Sequence, residues 1–108
     1  MKNEEQKFND LFIYLKKNNL EHINAFQNFM QIVENDGKVS SKVKEAVALG
    51  IAIKSQCKGC IFIHTKNALN KGYTKEEILE IAWVAVLMGG GPSFVYLSYV
   101  KEALEEYK

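Results

Sequence analysis

Apolar residues recur every three to four positions along most of this chain, the period of helices that bury one face. A first helix is predicted over Glu4 to Lys17, with Phe8, Leu11, Phe12 and Leu15 on one stripe, and Asn18-Asn19 breaks it. A second is predicted from Leu20 to Glu34, with Ile23, Phe26, Met30 and Val33 facing inward; Asp36-Gly37 ends it. Ser40 or Ser41 caps a third, from about Lys42 to Lys54. Its run AVALGIAI is apolar on every face, which predicts a central position. Periodicity alone also fits a buried strand there; the preceding serines and the frequent alanines favour helix. A fourth helix begins near Cys57 and stops at Lys71-Gly72. Thr74-Lys75-Glu76-Glu77 has the form of a capping box and opens a fifth, which runs to Met88. Gly89-Gly90-Gly91 breaks the chain, and Pro92 suits the first turn of a sixth helix that reaches about Tyr107. The expectation is an all-α fold of about six helices, one domain over residues 1–108, with no internal repeat.

Composition narrows the function classes. A chain of 108 residues, 47% hydrophobic, can build a real core. The formal net charge is +1 and every basic residue is a lysine. Without arginine there is no planar fork for phosphate or guanine, and no basic run is interleaved with aromatics, so nucleic acid is not an expected partner. The longest apolar runs, Ala46 to Ile53 and Ile81 to Met88, are too short to span a bilayer. The start, MKNEEQKFNDLF, lacks the apolar core of a secretory signal, so no membrane partner and a cytoplasmic location are expected. The glycine triplet is followed by no Gly-Lys-Ser/Thr and preceded by no strand, so it reads as a tight turn with close helix approach rather than a phosphate loop. Trp83, Phe94, Tyr96 and Tyr99 read as core or subunit interface. Two strongly apolar helices and an aromatic last helix are much apolar surface for so small a domain, which predicts self-association.

The candidate chemistry lies in Gln56-Cys57-Lys58-Gly59-Cys60-Ile61-Phe62-Ile63-His64. It holds the only two cysteines, and Cys57, Cys60 and His64 have the i, i+3, i+7 spacing of one helical face. In a reducing compartment a close cysteine pair is catalytic or metal-binding before it is a structural staple. Dithiol chemistry needs a thiolate, and three features favour one. Cys57 lies at the expected N-terminus of the fourth helix, Lys54 and Lys58 add positive charge, and His64 can take a proton from Cys60. The helix end argues for Cys57 as the more acidic thiol; the histidine argues for Cys60. Upstream, Glu45 is a carboxylate at the edge of the apolar third helix; if the third and fourth helices pair antiparallel, it faces the helix that carries His64. Three plainer readings stand beside this one. The cysteines are packed as small hydrophobes; Cys57, Cys60 and His64, with Glu45 as fourth ligand, hold zinc; or Glu45 is a solvated first-turn residue. His22 has no such company and reads as a surface residue.

Glu45, eleven intervening residues, Cys57-x-x-Cys60-x-x-x-His64, then Ala68, Gly72 and a capping box, with the later segment Glu80 to Ser93, resemble the alkylhydroperoxidase D-like branch of the carboxymuconolactone decarboxylase family, in its short single-domain form. The resemblance covers roughly Lys38 to Tyr99. It implies a helical fold that assembles into homotrimers or homohexamers, and a thiol-dependent peroxidase or disulfide reductase that needs no cofactor and no metal. It implies that Cys60 attacks the peroxide, that Cys57 resolves it, and that Glu45 and His64 relay protons. The substrate is then a small hydroperoxide, and the electron donor a dithiol such as a thioredoxin-like or lipoyl protein. Some members carry a further histidine just before the second cysteine, where this chain has Gly59; a simpler relay follows. The lactone decarboxylases of the family lack the cysteine pair, which counts against that activity here. The alternatives are a zinc-binding module, a non-catalytic oligomeric scaffold of the same fold, or a decarboxylase-like enzyme.

Overall fold

The computed structural model describes residues 1–107. They form six helices and no strand: α1 Glu4–Asn18, α2 Leu20–Glu34, α3 Ser41–Lys54, α4 Lys58–Asn70, α5 Lys75–Gly89 and α6 Gly91–Glu106. The helix reading of AVALGIAI therefore holds over its strand alternative. The packing divides into two compact units, Met1–Ser41 and the chain from Lys42 onward.

The first unit is the α1–α2 pair. Its start is fixed by a capping box that the sequence reading did not pick out. The Asn3 side chain accepts from the Gln6 amide, and Gln6 accepts from the Asn3 amide, each at 2.9 Å. Asn19 alone links the two helices. Phe8 and Phe12 stack with centroids 4.6 Å apart. Of the residues expected to face inward, only Ile23 is buried; Phe26 and Val33 are about half exposed, and Leu11 is exposed too. A two-helix unit offers each helix only one neighbour, so a stripe four residues wide cannot all be covered within it.

The second unit holds the core. Leu49, Ala52 and Ile53 of α3 join Ile61 and Ala68 of α4. Ile78, Ala82 and Ala85 of α5, with Val100 and Leu104 of α6, complete the cluster. The expectation that α3 is central, drawn from its being apolar on every face, is corrected: it joins the core by one face only. Its inward face is Glu45, Leu49, Ala52 and Ile53, one stripe at helical spacing, while Val43, Val47 and Ile51 are exposed. Helix α4 ends in a Schellman motif: the Tyr73 amide donates to Ala68 and the Gly72 amide to Leu69. Gly72 has φ +96°, which a side chain would strain. Thr74 and Glu77 then form the expected capping box of α5. At the α5–α6 turn a Cβ on Gly89 would lie 1.9 Å from Ser93 Oγ and 2.7 Å from Lys54 Cδ, so close approach explains this glycine. Among the described residues, no helix is long and apolar enough to cross a membrane.

Candidate active site

Cys57 is placed by the way α3 ends. The Cys57 amide donates to Ala52 and the Gln56 amide to Ile53, a second Schellman motif. Its left-handed position is filled by Gln56, at φ 56°, where glycine is usual. That costs roughly 1 kcal/mol. The turn reverses the chain within three residues and leaves Cys57 as the N-cap of α4, with φ −107° and ψ 97°. Cys57 is thus outside the helix, and the three-residue helical face expected from spacing reduces to Cys60 and His64. Cys57 reaches Cys60 by capping instead: its Sγ accepts from the Cys60 amide at 3.3 Å. The two sulfurs are joined as a disulfide, with Cα atoms 5.2 Å apart. Both cysteines are half-buried, and Cys60 is the one that packs against the core cluster.

One turn beyond Cys60, His64 Nδ1 lies 2.6 Å from Glu45 Oε1. Glu45 is only 5% exposed, so the solvated first-turn reading of this residue is overturned. The contact answers the desolvation of a buried carboxylate. Which of the two atoms carries the proton depends on the tautomer of the ring; the contact leaves Nε2 of His64 as the nitrogen not engaged by Glu45. The arrangement follows from the fold. The three-residue connection brings His64 of α4 within reach of Glu45 of α3, and Leu49, Ala52 and Ile53 seat α3 in the core with Glu45 one turn before Leu49 on the same inward face.

The structure therefore joins Cys57 to Cys60 and His64 to Glu45, with His64 one helical turn after Cys60 on α4. His22, read as a surface residue, is exposed in the first unit. Among the described residues, no group of three or more His, Cys, Asp and Glu side chains is placed to hold a metal ion. Two further residues touch this region. Lys58, the first residue of α4, sets its Nζ 5.2 Å from the centroid of the Tyr99 ring. Tyr99 also lies against Phe62 and Tyr96, with centroids 6.5 and 5.3 Å away. The sequence marked Tyr99 only as one of an aromatic group, because a cation–ring contact between α4 and α6 leaves no local spacing. Trp83 and Phe94 of that group, read as core or interface, are exposed on this chain with their rings 6.0 Å apart.

The sequence profile of the carboxymuconolactone decarboxylase family matches residues 21–102. The chain belongs to that family. An uncharacterised protein of Cupriavidus necator is 36% identical over 76 residues, which is 70% of this chain and 67% of that protein. The crystal structure of an apo carboxymuconolactone decarboxylase family protein from Legionella pneumophila superposes with TM-score 0.90 at 34% identity, covering 96% of this chain and 93% of that one. A family member from Thermotoga maritima, for which a part in the antioxidative response has been suggested, gives TM-score 0.84 at 27% identity and covers 97% and 89%. The resemblance read from the Glu, Cys-x-x-Cys and His pattern is thereby established at the level of the family, and the six-helix fold with it.

Proposed function

We propose that this carboxymuconolactone decarboxylase family protein is a thiol-dependent peroxidase of the disulfide-oxidoreductase type. The observation that carries the reading is the linked series of a Cys57–Cys60 disulfide at a helix start, His64 one turn on, and the buried Glu45 that fixes the imidazole. In the reduced protein, the Cys60 thiolate attacks the distal oxygen of a hydroperoxide. The S–O bond forms as the O–O bond breaks, and the departing alkoxide takes a proton through His64, giving an alcohol and a sulfenic acid. The Cys57 thiol then attacks the sulfenic sulfur, expels water and closes the disulfide. A dithiol donor returns two electrons and two protons. Cys60 is assigned to the peroxide because it packs inward beside His64; Cys57, at the outer cap, is the sulfur that meets the reductant. Glu45 holds the histidine tautomer and steadies the imidazolium that forms.

The same reading includes self-association as a homotrimer or homohexamer, a cytoplasmic setting, and a thioredoxin-like or lipoyl protein as donor. The suggested antioxidative role of the Thermotoga maritima relative is consistent with it.

The test is a peroxide titration of the reduced protein. One equivalent of hydroperoxide should consume two thiols and lower the intact mass by two hydrogens, and a dithiol should then sustain turnover. In Cys57→Ser a sulfenate should accumulate on Cys60. Stoichiometric zinc with protected thiols, or thiols that ignore peroxide, would sink the proposal. A sulfenate trapped on Cys57 in Cys60→Ser would reverse the assignment of the two sulfurs.

A further inference from the structure

We infer that the groove between α3 and α5 is the seat of a second copy of this chain, and that it receives that copy's ridge of Trp83, Leu87 and Phe94. The inference rests on the self-association in the proposed function and deepens it by naming the faces that meet.

The groove has a volume of about 530 Å³. Val47 and Ile51 of α3 and Val84 and Met88 of α5 line it, all more than half exposed, and Lys54 is the only charged residue along it. A small-molecule site orients its ligand with a few converging polar groups, which a single lysine does not supply. Gly50 also lines the groove, in the middle of α3. A glycine there costs the helix about 1 kcal/mol relative to alanine. At Gly89 close approach within the chain explains the residue. Gly50 has no such reason: its φ is not positive, and a Cβ on it would meet nothing within 4 Å. Approach from outside the chain supplies one, since Gly50 with Ala46 and Ala85 lets another helix come close.

The chain also carries a side to match. Trp83 and Leu87 lie one turn apart on α5, and the ring of Phe94 on α6 is 6.0 Å from that of Trp83. All three are more than half exposed. Large apolar side chains at i, i+4 are the anchors by which a helix fills a groove. The areas agree as well. Groove and ridge each expose about 400 to 500 Å² of apolar side chain, together on the order of the apolar part of a standard interface of about 1,600 Å². A net charge of only +1 sets up little repulsion between copies.

The experiment is the mass of the full chain by sedimentation velocity at micromolar concentration, with helicity recorded for each variant. Gly50→Leu adds apolar surface and helix propensity but fills the groove, so it should raise the dissociation constant about tenfold or more with helicity retained. Leu87→Asp should do the same from the ridge side. At a concentration where neither variant assembles alone, an equal mixture should give a two-chain species, the intact ridge of one in the intact groove of the other. If Gly50→Leu loses helicity, Ile51→Asp is read in its place. An oligomeric unaltered protein whose mass Gly50→Leu does not change would refute this face and leave self-association standing; a monomeric unaltered protein would remove both. A mixture that stays monomeric refutes the ridge as occupant. A small apolar molecule carried by the monomer in native mass spectrometry, and lost in Gly50→Leu, would make the groove a ligand site and overturn the inference. Thiol loss on peroxide addition is read on the same samples, so the redox reading stands or falls separately.

Discussion

At the scale of single residues, the most consequential contact is the one between His64 and Glu45. A half-buried histidine with its Nδ1 on a buried carboxylate is held in one orientation, which is what the proposed proton relay requires. Glu45→Gln keeps the shape of the side chain and an oxygen to accept from Nδ1, but removes the charge that steadies a protonated ring. Peroxide turnover should fall about 10- to 100-fold, with helicity and the dithiol equilibrium nearly unchanged. Steady-state kinetics beside a thermal melt read both quantities. Turnover equal to the unaltered protein would remove Glu45 from the mechanism. These residues were legible in the sequence for a physical reason. His64 lies one helical turn from Cys60, so spacing alone relates them. Glu45 stood out as a carboxylate in an apolar helix, which needs a partner or water. The family resemblance paired it with His64; spacing alone did not, because the answer depends on how α4 is placed relative to α3.

At the scale of elements, the side-chain cap that opens α5 was read from the sequence, while those of α1 and α4 were not. Thr74 and Glu77 form the predicted reciprocal cap: the Glu77 amide donates to Thr74 Oγ1 at 3.1 Å and the Thr74 amide to Glu77 Oε1 at 2.8 Å. The Thr74 amide is the main cause that lowers the Glu77 carboxyl below its ordinary value of 4.5, with the Thr74 hydroxyl and Lys42 acting in the same direction against desolvation. A carboxyl whose folded pKa is depressed binds its proton more readily when unfolded. Its contribution to stability is therefore complete above pH 4.5 and fades as pH falls from there through the lowered folded value. Thr74→Ala should cost about 1 kcal/mol at neutral pH. The share of that loss that runs from the Thr74 hydroxyl to the Glu77 carboxylate should vanish in acid, where Glu77 is protonated, while the amide contact survives the substitution. Urea melts at pH 7 and pH 3 check this; a deficit that does not change with pH would mean that the cap acts without the Glu77 charge. An end closed by backbone without a glycine was harder to read. The Schellman turn at Gln56 carries no glycine to announce it, so the sequence located the start of α4 near Cys57 without revealing that Cys57 is its cap.

At the scale of the whole molecule, composition announced how much apolar surface there is, but not which faces the chain itself covers. The run AVALGIAI looks equally apolar all round, and only the seating of Leu49 and Ile53 in the core decides that Val47 and Ile51 face outward. The same holds for α5, where Ile78, Ala82 and Ala85 are buried while Val84, Leu87 and Met88 are exposed. Leu87 is 80% exposed, an unusual position for leucine beside other exposed apolar side chains on a stable helix. The proposed self-association would cover such a surface, since a closed homo-oligomer covers the same patch on every copy. Leu87→Asp places a charge there without touching the core or the disulfide. Light scattering should give the unaltered protein a mass of three or six chains and the variant a smaller one, with helicity retained. A monomeric unaltered protein at micromolar concentration would refute self-association. Because Cys57, Cys60, His64 and Glu45 all come from α3, α4 and their connection, the dissociated variant should still form its disulfide with one equivalent of peroxide. Loss of that reaction on dissociation would mean that a neighbouring copy completes the site.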